Sequence, residues 1–185
     1  MAASRGHQSA TALGLECLIP IAGRVSEVTK ATWDEFDLDI RIWTIPASRM
    51  NGGREHRVPL SQRAVEILKH TKLNGLSEYL FPGGNNNEYL SENAFRVFIL
   101  KSMGLRDATA HGFRSTFRDW CAERTNYPRE AAEMALAHAI GSVVEAAYRR
   151  ADLFAKRARL MDEWARYYYM PASEAKPLPI FASIA

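Results

Sequence analysis

One change of rhythm limits what this chain can fold into: a short β-like stretch between Arg41 and Leu60 gives way to helical periodicity that lasts almost to the end. Arg41-Ile42-Trp43-Thr44-Ile45 mixes polar with β-branched and aromatic residues. Asn51-Gly52-Gly53 supplies the positive φ of a turn, and His56-Arg57-Val58-Pro59-Leu60 returns, so the segment reads as a β-hairpin. Ser61 then caps a helix on which Ala64, Ile67 and Leu68 recur, and Gly83-Gly84-Asn85-Asn86-Asn87 marks a polar loop. Beyond Asn87 four helices are expected. The first runs from Ser91 to Met103 with Gly104 as its stop, and the second from His111 to Arg124. The third starts at Pro128 and fades near His138 before Gly141. The fourth opens with the capping box Ser142-x-x-Glu145, and Asp152 caps its continuation through Tyr169. The pattern predicts a mainly helical α+β domain with a small antiparallel sheet near residues 37–60 set to one side.

With 185 residues, 47% of them hydrophobic and 24% charged, the chain suits one domain with a core. We expect that domain over residues 1–170, with the first ten frayed and Leu13–Ile21 forming the end of a buried helix. Residues 171–185 form a tail, because three prolines from Pro171 onward oppose a continued helix. No apolar run approaches the roughly 20 residues that cross a bilayer, and the start lacks a secretory layout. A cytoplasmic, membrane-free location follows as the expectation. Cys17 and Cys121 stand far apart and in no metal-ligand spacing, so both are read as buried free thiols. A net charge of +3 and a pI near 8.9 permit a nucleic-acid partner without requiring one.

Chemistry enters with His111-Gly112-Phe113-Arg114. A three-residue step on a helix sets an imidazole beside a guanidinium, and such a pair suits one phosphate: the guanidinium offers a planar fork of donors, the imidazole a proton near neutral pH. Phe113, Phe117 and Trp120 define the core stripe, with His111, Arg114 and Arg118 on a neighbouring one. Leu136-Ala137-His138 follows, with His138 near a helix C-terminus. Ten residues later Tyr148 lies beside Arg149 and Arg150, whose positive field favours phenolate. Upstream, Glu27 is spaced to hold the guanidinium of Arg24. Each pattern alone also fits an ordinary surface pair or a structural histidine.

Together, Arg24-x-x-Glu27, His111-x-x-Arg114, Leu136-x-His138 and Tyr148 resemble, in order and approximate spacing, the catalytic set of the tyrosine recombinase (phage integrase) family. Thr32–Leu38, Trp43–Pro46, His56–Ser61, Leu80–Pro82 and Leu160–Ala165 resemble its prophage branch, and the likeness covers roughly residues 13–169. It implies the family's catalytic domain, in which Tyr148 attacks a DNA phosphodiester to form a 3′-phosphotyrosyl link and release a 5′-hydroxyl. Arg24 and Arg114 would hold the non-bridging oxygens, the role metal ions fill elsewhere, so neither metal nor cofactor is implied. His111 would serve as base or phosphate donor, His138 would complete the clamp, and Glu27 would orient Arg24. The implied partners are double-stranded DNA at attachment sites and sister protomers in a tetrameric synapse, in a bacterial, nucleoid-associated setting. Arg49, Arg54, Arg118, Arg149 and Arg150 are the expected DNA contacts, with Lys156, Arg157 and Arg159 as further candidates.

The sequence departs from the family in three places. The hairpin turn of the family carries a lysine that acts as general acid, and Asn51 stands there instead; losing that help slows cleavage by roughly 10²–10⁴-fold. Arg49 and Arg54 are the nearest substitutes. Ser26 occupies a position where glycine is common, and the chain leaves no room for a preceding core-binding domain. The alternative reading is therefore a remnant that binds DNA without turnover.

Overall fold

The structure, a computed structural model, describes residues 9–74, 77–84, 88–138 and 152–171. Its elements in chain order are α1 (Ala10–Ile21), α2 (Val25–Thr29), β1 (Phe36–Asp37), β2 (Ile42–Ile45), β3 (His56–Pro59), α3 (Gln62–Asn74), α4 (Ala94–Val97), α5 (Gly112–Arg124), α6 (Arg129–Ala135) and α7 (Phe154–Tyr169). This is the mainly helical α+β domain with one small antiparallel sheet. None of the described helices is long and apolar enough to cross a membrane.

The apolar run from Leu13 belongs to α1, whose start Ser9 caps by accepting the Ala12 N–H at 3.2 Å. α1 is buried on nearly all sides because α2, α3, α4 and α7 pack around it. Even Glu16 is buried, and its carboxylate is held by Arg63 Nη2 and the Tyr169 hydroxyl, each at 3.1 Å. Trp164 of α7 also anchors α1, donating its indole N–H to the Ile19 carbonyl at 2.8 Å. Around it, Phe117, Trp120 and Tyr167 form an aromatic cluster with centroid separations of 5.3–6.2 Å. Cys17 and Cys121 are buried free thiols, and burial raises the pKa of both.

The sheet has strand order β1-β2-β3, all antiparallel, with Trp43 opposite Val58 and Ile45 opposite His56. The turn around Asn51 closes through the Gly53 N–H on the Met50 carbonyl at 2.9 Å, with Gly53 at φ +61. The helix expected from Ser91 starts later, at Ala94. Ser91 makes a turn of its own, its carbonyl accepting from Ala94 N at 2.9 Å and its hydroxyl from Asn93 N at 3.3 Å. α4 then widens into a π-helical turn at Phe98–Ser102 before Gly104, at φ +69, stops it.

α5 runs from Gly112 with His111 as its N-cap residue, and α6 from Arg129 with Pro128 as its N-cap. α6 ends in a Schellman turn: the His138 N–H returns to the Glu133 carbonyl at 2.9 Å and the Ala137 N–H to Met134 at 3.1 Å. Ala137 takes the left-handed conformation, φ +50, that such turns usually give to glycine. The N-cap residue of the last helix is Leu153, and Asp152, expected to cap it, stands one residue earlier and accepts the Phe154 N–H at 3.0 Å. The capping box Ser142-x-x-Glu145 lies outside the described residues.

Candidate active site

α6 ends with carbonyls that the helix itself cannot satisfy, as every helix C-terminus does. Two guanidinium groups use them. Arg114 donates Nη2 to the Leu136 carbonyl at 2.7 Å and Nη1 to the Ala22 carbonyl at 2.5 Å. Arg24 donates Nη2 to the next carbonyl, Ala137, at 3.5 Å. The two cations thus lie side by side, which explains the pKa of Arg114: burial, then the charge of Arg24, lowers it to about 10, while Glu27 opposes the change. Arg114 remains charged at neutral pH.

The expected role of Glu27 toward Arg24 has a geometry. Its carboxylate accepts from Arg24 Nη1 at 2.6 Å and from the Arg24 backbone N–H at 2.8 Å, so one side chain caps α2 and fixes the guanidinium. Glu27 is buried, whereas the Arg24 side chain keeps 29% of its surface exposed. The Schellman turn carries His138 back so that its Nε2 lies 3.3 Å from Arg114 Nη2. His111, one turn before Arg114, is exposed at the start of α5. Arg24, Arg114 and His138 are therefore brought together. Tyr148, Arg149 and Arg150 lie outside the described residues.

Of the three residues that helical spacing put on the stripe beside the core one, His111 and Arg118 are exposed and Arg114 is 6% exposed. Carbonyls from two distant segments make that burial affordable. Two further arginines expected to face DNA turn inward. Arg49 pairs with the buried carboxylate of Glu35 and donates to the Glu27 carbonyl, tying the hairpin to α2. Arg157 is 2% exposed and donates to Asp152 and to the Arg57 carbonyl at 2.8 Å, tying α7 to β3. Asn51 and Arg54 are exposed at the hairpin turn, and Arg118 is exposed on α5.

Two residues were not found from the sequence. His56 of β3 lies near Ala135, one residue before Leu136 and Ala137, whose carbonyls receive Arg114 and Arg24. Burial, then the charge of Arg157, lowers the His56 pKa to about 4, against pulls from Glu27 and the Ala135 backbone. Glu133 Oε2 lies 2.6 Å from His138 Nδ1, and its Oε1 pairs with Arg118 Nε at 3.3 Å. The signal available for Glu133 was a carboxylate five residues before His138, the span of a Schellman turn; His56 carried none.

Against this geometry stand the comparisons with known proteins. Residues 1–153 match the sequence profile of the phage integrase family. The chain belongs to that family. The prophage integrase IntA of Escherichia coli strain K12 is 36% identical over 145 residues, covering 77% of this chain and 35% of the relative. The integrase of Shigella phage Sf6 is 35% identical over 148 residues, 77% and 37% of the two chains. That of Enterobacteria phage P4 is 35% identical over 158 residues, 76% and 36%. The chain spans little more than a third of the length of these integrases. No solved structure matches it significantly. Within the phage integrase family, then, this chain presents a paired-guanidinium centre built on the end of α6.

Proposed function

We propose that this chain takes part in site-specific recombination by cleaving and rejoining double-stranded DNA, with Tyr148 as nucleophile and a 3′-phosphotyrosyl link as intermediate. The observation that carries the reading is the meeting of Arg24, Arg114 and His138 at the adjacent carbonyls of Leu136 and Ala137. Two neighbouring cations and an imidazole form a centre for one phosphodiester. Donors held on backbone carbonyls before DNA arrives need little reorganisation as charge grows on the non-bridging oxygens, which favours the transition state. Tyr148 follows His138 by ten residues and precedes Asp152 by four.

In this mechanism the Tyr148 oxygen attacks phosphorus, its proton passes to His111 or to solvent, and the 5′-oxygen leaves as a hydroxyl by taking a proton from solvent. Bond energy is kept in the phosphotyrosyl ester, so the released hydroxyl of a partner strand can reverse the step without ATP. Arg54, Arg118, Arg149 and Arg150 contact the backbone in this reading, whereas Arg49 acts as an internal tether. The full reaction takes place in a tetramer on DNA, associated with the bacterial nucleoid.

A pool of duplexes nicked beside a randomised site tests the proposal, because cleavage near a nick releases a short fragment and traps the adduct. A DNA-linked species that vanishes in Tyr148→Phe and falls by orders of magnitude in Arg24→Ala and Arg114→Ala is expected. Salt-sensitive DNA binding with no adduct at any enzyme concentration would overturn it.

A further inference from the structure

Glu133 sits in the last turn of α6, where the helix dipole presents its negative end and a carboxylate is disfavoured. Its side chain is only 14% exposed. Three cationic or proton-bearing groups converge on it. Oε2 faces His138 Nδ1 at 2.6 Å, while Oε1 faces Arg118 Nε at 3.3 Å and Arg129 Nε at 3.6 Å. Burial opposes its ionisation, but His138, Arg118 and Arg129 outweigh that and hold its pKa below the ordinary carboxylate range. One oxygen is thus given to the histidine and the other to the arginines.

Resting on the phosphodiester reading above, we propose that Glu133 is a positioning residue: it forms a carboxylate–imidazole pair that aims His138 Nε2 at the phosphate held by Arg114, and its charge balances the proton the ring takes up there. The hydrogen-bond inventory leads to this. The Nδ1 side of the ring faces an acceptor, so Nδ1 carries the hydrogen. The Nε2 side faces Arg114 Nη2, which has only donors, so Nε2 presents its lone pair. A phosphate oxygen inserted between them needs donors from both. Arg114 already has its hydrogen; His138 gains one at Nε2 from solvent. The ring then carries a positive charge beside Arg114 of α5 and near Arg24, with Arg118 and Arg129 beyond the carboxylate, and Glu133 is the anion that faces it. Ala137 in the left-handed conformation provides the fold-back that makes the pair possible.

A double-substitution cycle in the nicked-duplex assay separates this from a plain tether between α5 and α6. Glu133→Gln keeps the shape and an acceptor but removes the charge. It should lower the rate of adduct formation about 10–100-fold, the range found for outer partners of functional histidines. The deficit should widen from pH 6 to pH 8, and in a His138→Ala background the same change should cost less than about threefold. Equal losses in both backgrounds, or a deficit that does not change with pH, would overturn the proposal.

A second measurement does not depend on cleavage. Nitrogen-15 spectra of the ring in the free full chain should show hydrogen on Nδ1 of His138, a preference lost in Glu133→Ala. In Tyr148→Phe bound to the duplex pool, both nitrogens should be protonated. Hydrogen on Nε2 in the free wild type refutes the pair. If the spectra agree while no adduct forms from any duplex, cleavage by Tyr148 is what fails, and the pairing of Glu133 with His138 stands.

Discussion

Acidification should unfold this protein earlier than its carboxylates alone dictate, and His56 is the reason. An unfolded chain gives its imidazole a pKa near 6.5, and the folded protein lowers it to about 4, chiefly through burial and the charge of Arg157. Because the folded-state value is the lower one, the unfolded state binds the proton first. The stabilisation is therefore complete above pH 6.5, falls as pH drops through the window between the two values, and is gone below pH 4. Linkage with these values gives a loss of about 2 kcal/mol between pH 7 and pH 5, a range in which few carboxylates titrate. Urea denaturation of wild type and His56→Gln at pH 7, 6 and 5 measures it. Glutamine keeps a polar side chain of similar size but cannot be protonated, so its midpoint should fall less steeply with acid. Parallel curves for the two proteins would refute the assignment of His56 as a neutral imidazole in the folded protein.

Three further outcomes are expected. Ala137→Gly removes a left-handed alanine at φ +50 and should stabilise the fold by about 1 kcal/mol in chemical denaturation. Arg49→Met strands the buried carboxylate of Glu35 with only the Trp43 indole at 2.9 Å, and should cost about 3 kcal/mol of stability; because Arg49 is an internal tether, the salt dependence of DNA binding should not change. Asn51→Lys should restore a proton donor at the hairpin turn and speed adduct formation at neutral pH by roughly 10²-fold, measured in single-turnover reactions on the nicked pool.

Local patterns were legible because local physics determines them. The β2–β3 pairing followed from the residue types around Asn51-Gly52-Gly53, and Phe117 and Trp120 face the core as their spacing required. Glu27 was legible as the partner of Arg24 because an i, i+3 contact depends on little beyond the helix start. What escaped depends on contacts between distant segments. Spacing on α5 put Arg114 on a stripe with His111 and Arg118 beside the core one, and nothing in its neighbourhood announces the carbonyls of Ala22 and Leu136 that allow it to be buried. Arg49 and Arg157 look like solvent-facing cations until Glu35, Glu27 and Arg57 are brought to them by the fold. His56 reads as a strand residue, and only the fold gives it the burial and the nearby charge of Arg157 that lower its pKa. The late start of α4 reflects a competition that sequence rules leave open: Ser91 satisfies its own turn instead of capping the helix.

The account depends on a phenolic oxygen at position 148 taking up the DNA strand. Protease digestion of the trapped adduct, followed by mass mapping of the peptide that retains a nucleotide remnant, reads that directly. The remnant should lie on Tyr148 and disappear when Arg24 or Arg114 is replaced. A remnant on another residue, or a strand cut that leaves no protein-linked end, would contradict the account.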